Sequence, residues 1–341
     1  MSKMRPPLIE EYQVGWVCAL PNEMAAAQAM LDEDHGPMSS QDARDHNTYV
    51  LGQVHYHNVA IACLPAGVDG TNAAATAAAN MLRTFTGMRF GLVVGIGGGI
   101  PNLDKGVDIR LGDVVVSQPD RTHGGVVQYD KGKMERDSFE GKGSLNKPPK
   151  LLLTALASLQ AKHEVHGSQI STYLKGMIDR HPDMREKGYT FPGVELDCLY
   201  CTTCKPTGSN SCDKCQGGKI RRKERKHSKP VVHYGIIASG NQVVKDSVVR
   251  DRLGDKFGAK CVEMEAAGLM DDFPCIVIRG ICDYADAHKN EVWQKYAATT
   301  AAAFAKELLS FVQPKEVAGA EHASKLMSKS TRGNAGPLIS Y

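Results

Sequence analysis

The sequence contains no long hydrophobic run. None of its apolar stretches approaches the roughly 20 residues that a membrane-spanning helix needs, so no membrane partner is expected. The first twelve residues, MSKMRPPLIEEY, also lack the apolar core of a signal peptide. These two absences predict a cytoplasmic protein, with the nucleus as the alternative compartment.

The sequence also lacks a large excess of either positive or negative charge. The chain has 41 basic and 38 acidic residues, a net charge of +3, and only 6% aromatic residues. Such a balance does not favour a polyanionic partner. One basic run, KIRRKERKHSK at residues 219–229, is typical of nuclear import or RNA binding, but no aromatic residues interleave it. Nucleic acid is therefore not an expected partner, and a solvated loop is the preferred interpretation of this run.

Cysteine is plentiful but unevenly placed. Five of the ten cysteines lie within residues 198–215, and the others are scattered among apolar segments, as reduced core thiols are. Within the cluster, Cys201-x-x-Cys204 and Cys212-x-x-Cys215 are two C-x-x-C hooks joined by seven residues. Two such hooks can supply four thiolates to one structural zinc ion. The alternative is a flexible insertion whose thiols are free or loosely disulfide-bonded.

Apolar strands alternate with alanine-rich helical segments along the chain. Residues 14–20 (VGWVCAL) and 275–282 (CIVIRGIC) read as buried strands, and 91–101 (GLVVGIGGGIP) reads as a strand that runs into a glycine loop. Residues 49–64 read as a hairpin that turns on Gly52, and 293–312 read as an amphipathic helix that closes the domain. This pattern predicts an α/β fold with three αβα layers around a twisted mixed sheet. We expect one domain at 12–312, with a Cys-rich and basic insertion at about 185–230, followed by a disordered tail at 313–341.

Acidic residues follow three of the predicted strands. Asp283 ends the strand 275–282, Glu23 follows the first strand, and Glu263-Met264-Glu265 follows a short strand and precedes a predicted alanine-rich helix. In open α/β sheets the carboxyl ends of the strands face the ligand crevice. The sequence thus predicts a cluster of carboxylates suited to acid chemistry, although for any one of them alone a helix-terminal or capping role is the preferred interpretation.

Several motifs together carry a family resemblance. The stretch Val262–Ala266 (VEMEA) with Arg279 and Asp283, and the stretch Leu111–Ser117 (LGDVVVS), resemble motifs of the nucleoside phosphorylase/nucleosidase superfamily. The resemblance covers residues 12–312. The segment from Asp283 to Leu309 is similar to a largely fungal purine nucleosidase-like branch, whose domain occurs alone or at the head of signalling proteins.

The resemblance implies hydrolysis of a purine ribonucleoside to free base and ribose, without a cofactor for catalysis. Asp283 would protonate N7 of the purine, which requires a raised pKa, and burial acts in that direction. Glu265 would hold the ribose hydroxyls, and Glu23 would orient the attacking water. Further substrate-binding residues implied by the resemblance are Gly97, Gly98, Val68, Asn241, Val243, Val244, Glu263, Met264 and Arg279.

Two phosphate contacts of the related phosphorylases have no counterpart here. The first strand is followed by Leu-Pro-Asn-Glu rather than by glycines and an arginine, and Pro21 removes a backbone donor. Ile96 stands where the glycine loop of phosphorylases has serine or threonine. Hydrolysis is therefore preferred. The alternatives are a phosphorylase whose phosphate site includes Arg121 and a non-catalytic nucleoside-sensing module, and a homo-oligomer is expected in each case.

Overall fold

A large mixed sheet forms the centre of the molecule. The computed structural model describes residues 7–38, 40–134, 139–141, 143–204 and 218–326. Ten of the strands within these ranges form the central sheet, and β8 and β9 pair separately. The strands are β1 Val14–Cys18, β2 Glu33–Asp34, β3 Tyr49–Val54, β4 His57–Cys63, β5 Phe90–Gly99, β6 Val114–Ser117, β7 Val126–Gln128, β8 Gly132–Met134, β9 Phe139–Gly141, β10 Val232–Ser239, β11 Ala259–Glu263 and β12 Cys275–Asp283.

Parallel pairing dominates the middle of this sheet. The strand order is β11-β10-β6-β12-β5-β1-β4-β3-β2, with β7 beside β10. Strands β4, β1, β5 and β12 run parallel, so their carboxyl ends meet at one edge. Strand β11 also pairs antiparallel with the glycine-rich end of β5, which brings the residues after β11 to the same edge. The predicted crevice therefore lies where β1, β5, β11 and β12 end.

Helices cover both faces of the sheet. Side chains of β12 alternate between two cores: Ile276 and Ile278 pack into one, and Cys275 and Val277 pack into the other. This alternation is that of a strand buried on both faces, and it confirms the predicted αβα layers. The helices are α1 Pro21–Ala29, α2 Thr71–Thr84, α3 Lys150–His166, α4 Ile170–Arg180, α5 Asp183–Glu186, α6 Ser247–Phe257, α7 Gln294–Leu309 and α8 Pro314–Gly319.

Helix α7 is buried all around its circumference. Every residue from Tyr296 to Leu309 is buried, whereas the sequence predicted an amphipathic helix. The alanines explain the difference, because they let the helix approach the sheet closely. A Cβ atom on Gly280 of β12 would lie 1.8 Å from the Ala297 carbonyl oxygen. Helices α1, α3 and α4 pack against α7 from other sides.

Two predictions based on glycines were wrong, one at β3 and one at β5. The hairpin β3–β4 turns at His55, whose φ is 53°, and not at Gly52, which lies inside β3. A Cβ on Gly52 would come within 2.5 Å of the Glu33 carbonyl oxygen, so glycine here permits the approach of β2. Similarly, residues 95–99 were expected to form a loop but continue β5, with partners on both β12 and β11.

Part of the predicted disordered tail is folded. Residues 314–319 form α8, Ala323 is buried, and its backbone N–H donates to the Met88 carbonyl at 2.9 Å. The side chain of Arg89 donates to the Ala320 carbonyl at 2.7 Å. The domain therefore extends to about residue 326, and residues 327–341 lie outside the described ranges.

The basic run 219–229 is a loop whose residues are mostly exposed, as predicted, but two of its arginines are anchored to carboxylates. Arg222 forms an ion pair with Asp197 at 2.7 Å, and Arg225 binds both carboxylate oxygens of the buried Asp113 at 2.6 Å. The sequence did not predict these two pairs, because the carboxylates are distant from the arginines in sequence.

Among the helices of the described residues, none has the length and apolar character of a membrane-spanning segment.

Candidate active site

A pocket of about 190 Å³ opens at the edge where the strands end. Glu23, Glu263, Glu265 and Asp283, which the sequence predicted as a cluster, all line it. The other lining residues are Ala19, Leu20, Asp69, Ile96, Gly97, Gly98, Gln242, Val243, Val244, Val262, Met264, Cys282, Ala285, Lys289 and Gln294. Five carboxylates thus surround one small cavity, a costly arrangement unless each carboxylate is held by partners.

Glu23 is held by backbone donors. It occupies the first turn of α1, where its carboxylate accepts hydrogen bonds from the N–H groups of Ala19 at 2.7 Å and Leu20 at 2.9 Å. The second oxygen accepts from the N–H of Ile96 on β5 at 2.8 Å. Burial raises the pKa of Glu23, while Arg279 and these backbone donors oppose the rise. The carboxyl is fixed between β1 and β5 and is easier to protonate than an exposed glutamate.

Arg279 lies beneath the pocket and joins two glutamates. Its guanidinium Nη2 donates to Glu263 and, at 3.1 Å, to Glu265. Glu263 also accepts from the backbone N–H groups of Glu265 and Ala266, so it caps the single 3₁₀ turn Ala266–Gly268 that stands in place of the predicted helix. Arg279 is not among the lining residues. Its predicted contact with substrate therefore becomes an indirect one through the glutamates.

Glu265 is a buried carboxyl whose pKa lies near neutral pH. Burial raises its pKa to about 7. The charge of Arg279 and the N–H of Gly70 act in the opposite direction, and the nearby Glu263 and Glu23 carboxylates add to the rise. A carboxyl of this kind changes charge near neutral pH, and such groups are concentrated at functional sites.

Asp283 is aimed by a bulge in its own strand. The pairing of β12 with β5 shifts between Ile281 and Asp283, so Asp283 lies opposite Gly98. A Cβ on Gly98 would come within 2.9 Å of Asp283 Oδ1, so the missing side chain leaves room for the carboxylate. Oδ1 accepts from the N–H of Ala285 at 2.8 Å. The bulge thus turns this carboxylate toward the pocket.

Lys289 is a pocket residue that the sequence analysis missed. Its Nζ lies 3.1 Å from Asp283 Oδ2. The Asp283 charge raises the pKa of Lys289 against the opposing effect of burial, which is the larger single contribution. The sequence does contain a signal for this pair, because Lys289 is a cation in a polar loop, six residues after the carboxylate that ends the strand.

Two predicted binding residues do not reach the pocket. The side-chain oxygen of Asn241 accepts from the N–H of Thr71 at 2.9 Å and so caps α2, while its own N–H donates to Asp130. Val68 is 51% exposed, and its neighbour Asp69 lines the pocket instead.

Only two of the four predicted zinc ligands lie within the described residues. Cys201 and Cys204 are within the described ranges, and a Cβ on Gly218 would lie 3.5 Å and 2.4 Å from their sulfurs. The two thiols of this hook therefore face the same point. Cys212 and Cys215 lie outside the described residues, within which no group of three or more potential metal ligands occurs. The structural zinc site stays a prediction.

A larger cavity of about 790 Å³ lies along the basic run. Two of its cations, Arg222 and Arg225, are neutralised by Asp197 and Asp113. The smaller pocket combines strand-end carboxylates, a bulge and a titrating glutamate, and it is therefore the better candidate for chemistry.

Comparison with a family model decides the family. The model of the phosphorylase superfamily matches residues 13–313. The chain belongs to this superfamily. The match agrees with the resemblance inferred for residues 12–312, and it includes the insertion at 185–230. One of the motifs behind that resemblance, Leu111–Ser117, lies away from the pocket, where Asp113 binds Arg225 and His233.

Individual relatives of this superfamily member come from fungi and bacteria. A nucleotide-binding leucine-rich repeat (NLR)-like protein of Hyaloscypha variabilis is 50% identical over 91% of the chain, which spans 30% of that relative's length. A 5'-methylthioadenosine/S-adenosylhomocysteine nucleosidase of Mycobacterium bovis is 26% identical over 87% of the chain and 95% of the nucleosidase. The solved futalosine hydrolase of Helicobacter pylori shares the fold, with a TM-score of 0.56, 18% identity, and coverage of 88% and 98% of the two chains.

Proposed function

We propose that this protein hydrolyses the N-glycosidic bond of a purine ribonucleoside, giving free base and ribose. The observation that carries the proposal is the convergence of Glu23, Glu265 and Asp283 on one pocket of about 190 Å³. Each carboxylate comes from a different strand end and is fixed by partners of its own. Membership of the phosphorylase superfamily and similarity to named nucleosidases support the reaction class.

Three carboxylates meet the chemical needs of this reaction. The bond from C1′ to N9 breaks, and the oxygen of a water molecule bonds to C1′. Asp283 donates a proton or a hydrogen bond to N7, which makes the base a better leaving group. Glu265 accepts hydrogen bonds from the ribose hydroxyls as the sugar gains positive charge, and Glu23 orients the water and accepts its proton.

The pocket walls suit this division of roles. Val243 and Val244 line the pocket and would offer an apolar surface to the base, and Met264, also a lining residue, would pack against the sugar. Lys289 binds Asp283 and so competes with the base for that carboxylate. Substrate binding is therefore expected to displace Lys289 from Asp283.

Phosphorolysis is the weaker candidate on electrostatic grounds. Among the described residues that line the pocket, Lys289 is the only one with a cationic side chain, and five others are acidic. A phosphate dianion would meet a surplus of carboxylates, which disfavours its binding. Arg121, the predicted phosphate ligand of the alternative, does not line the pocket.

Product analysis tests the proposal directly. Purified protein is incubated with adenosine, inosine and guanosine, with and without phosphate, and base, ribose and ribose 1-phosphate are quantified. Hydrolysis predicts free ribose at the same rate in both conditions. Ribose 1-phosphate formed only with phosphate would make the protein a phosphorylase. Binding without turnover of any of the three nucleosides would favour the nucleoside-sensing module.

A further inference from the structure

Residues 284–289 form a loop that follows the end of β12 and leads toward α7. It begins directly after Asp283 and ends at Lys289, the partner of Asp283. Its second residue, Ala285, has a φ of 50°, a left-handed conformation that is unfavourable for a residue with a side chain. Such a conformation persists only when the surroundings hold it in place.

One support for this loop comes from the Cys-rich insertion. The ring of Tyr200 stacks on the imidazole of His288, with centroids 4.0 Å apart and planes inclined by 14°. Tyr200 itself is fixed by a small antiparallel pairing. It bridges to Lys219, and the flanking hydrogen bonds run from the Cys201 N–H to the Gly218 carbonyl and from the Ile220 N–H to the Leu199 carbonyl, both at 2.8 Å.

A second support comes from the basic run. Arg222 donates to the hydroxyl of Tyr284 at 2.8 Å and to the carboxylate of Asp197 at 2.7 Å. The hydroxyl of Tyr284 also donates to Asp197. These groups form a closed, buried triangle. The insertion therefore holds the loop at its first residue, Tyr284, and near its end, at His288.

We propose that residues 197–201 and 218–222 form a platform that positions loop 284–289, and through it Asp283 and Lys289, for catalysis. Tyr200 and Arg222 are positioning residues of this platform and do not touch the substrate. The inference rests on the proposed nucleosidase function. It also assigns a role to an insertion that carries none of the pocket carboxylates.

The contact between Tyr200 and His288 acts through ring packing. His288 Nε2 is buried and has no hydrogen-bond partner among the described residues. A phenylalanine at either position can therefore keep the stack, whereas an alanine removes it. This difference provides conservative variants that separate the loss of the stack from the loss of the imidazole or the phenol.

The test combines kinetics with hydrogen exchange. Tyr200→Ala is expected to lower kcat about 10- to 100-fold, the scale of an ångström-sized misplacement, with little change in KM. It should also speed amide exchange at residues 285–289. Tyr200→Phe should restore both, and the double variant Tyr200→Ala/His288→Ala should be no worse than either single variant. Tyr56→Ala, at a tyrosine that is 82% exposed, is the control and should change neither.

The outcomes separate the platform from the proposed function. If Tyr200→Ala does not fold, His288→Ala and His288→Phe make the same comparison from the other ring. Wild-type kcat in the alanine variants, with or without faster exchange, would overturn the platform. If the wild-type protein turns over no nucleoside, the proposed function fails. Amide exchange alone then tests the platform. Equal protection of residues 285–289 in the alanine and phenylalanine variants would show that the stack does not position the loop.

Discussion

At the residue scale, replacing Asp283 tests its role as the acid, and the same replacement removes its ion pair with Lys289. Asp283→Asn removes the proton donor and should reduce kcat about 10²- to 10⁴-fold, the usual contribution of general acid catalysis. Nucleoside binding should persist, because the amide keeps the size of the carboxyl. Steady-state kinetics and calorimetric titration measure the two effects separately.

Two controls accompany this substitution. Lys289→Met keeps the carboxyl and removes the ion pair, so it should cost less activity than Asp283→Asn. Asp255→Asn changes an exposed carboxylate that pairs with Lys105 at the surface, and it should have no effect. A wild-type rate in Asp283→Asn would exclude Asp283 as the acid.

The pKa of Glu265 predicts how binding depends on pH. Burial raises that pKa to about 7, and only the ionised carboxylate is a full acceptor for two ribose hydroxyls. Affinity for a purine nucleoside analogue with an uncleavable bond should therefore rise as pH increases through about 7. Calorimetry across this range should also detect release of a proton on binding near pH 7. In Glu265→Gln the affinity should be weak, and this pH step should disappear; a step of the same size in that variant would assign it to another group.

The same shift has the opposite sign for stability. A carboxyl whose pKa is raised by folding stabilises the folded state while both states are protonated, and this contribution is lost as pH rises through the folded pKa. The contribution of Glu265 is thus present below its ordinary value of 4.5 and lost by the time the pH exceeds about 7. Binding improves over the range in which this stability is lost.

The sequence predicted the acids of the site better than their partners. Glu23 and Asp283 were predictable because each ends or follows an apolar strand, and parallel strands bring such ends together. Glu265 also follows an apolar strand, but it reaches the same edge through β11, which pairs antiparallel with β5. Lys289 was not predictable in this way, since its contact depends on the path of an irregular loop. Asn241 was misplaced for a related reason. Its side chain caps α2 through Thr71, a contact across 170 positions that local spacing does not encode.

At the element scale, the glycine-rich end of β5 sets the space for the charged groups. A Cβ on Gly95 would lie 2.4 Å from Glu23 Oε1 and 2.5 Å from Arg279 Nη1. Gly95→Ala should therefore lower the free energy of unfolding by about 1–3 kcal/mol, the usual cost of overpacking, and reduce kcat/KM as well. Chemical denaturation and kinetics on the same preparations measure both.

Gly176→Ala is the matched control for this substitution. Gly176 lies in α4, where a Cβ would meet nothing within 4 Å. Alanine there should stabilise the protein by up to about 1 kcal/mol, because glycine is a poor helix former. A Gly95→Ala variant as stable and active as wild type would show that this end of β5 tolerates a side chain.

Element types were more predictable than the paths between elements. The apolar strands β1, β5 and β12 and the helices α3 and α7 were predictable from their composition and period. Glycines were misread because a glycine that permits close packing inside a strand looks the same in sequence as one that makes a turn. The two ion pairs of the basic run were missed because their carboxylates, Asp113 and Asp197, are brought to the run only by the fold.

At the scale of the whole molecule, three exposed valines stand beside the pocket. Val243 lines it, Val68 precedes the lining residue Asp69, and Val292 lies between Lys289 and Gln294, which also line it. Their exposed fractions are 52%, 51% and 53%. Apolar side chains grouped around a functional pocket are typical of a surface that a partner covers. A second copy of the chain is the partner that the predicted homo-oligomer supplies.

Sedimentation equilibrium at micromolar concentration should therefore give a multiple of the single-chain mass. Val68→Lys combined with Val292→Lys should shift the protein to monomers, because burying two ammonium groups in an apolar interface is unfavourable. If the partner copy closes the pocket, kcat/KM should fall together with the mass, and raising the protein concentration should restore both. Tyr56→Lys, at an exposed tyrosine of the β3–β4 turn, should change neither quantity. A monomeric wild-type protein with full activity would show that the pocket is complete within one chain and that the valines serve another purpose.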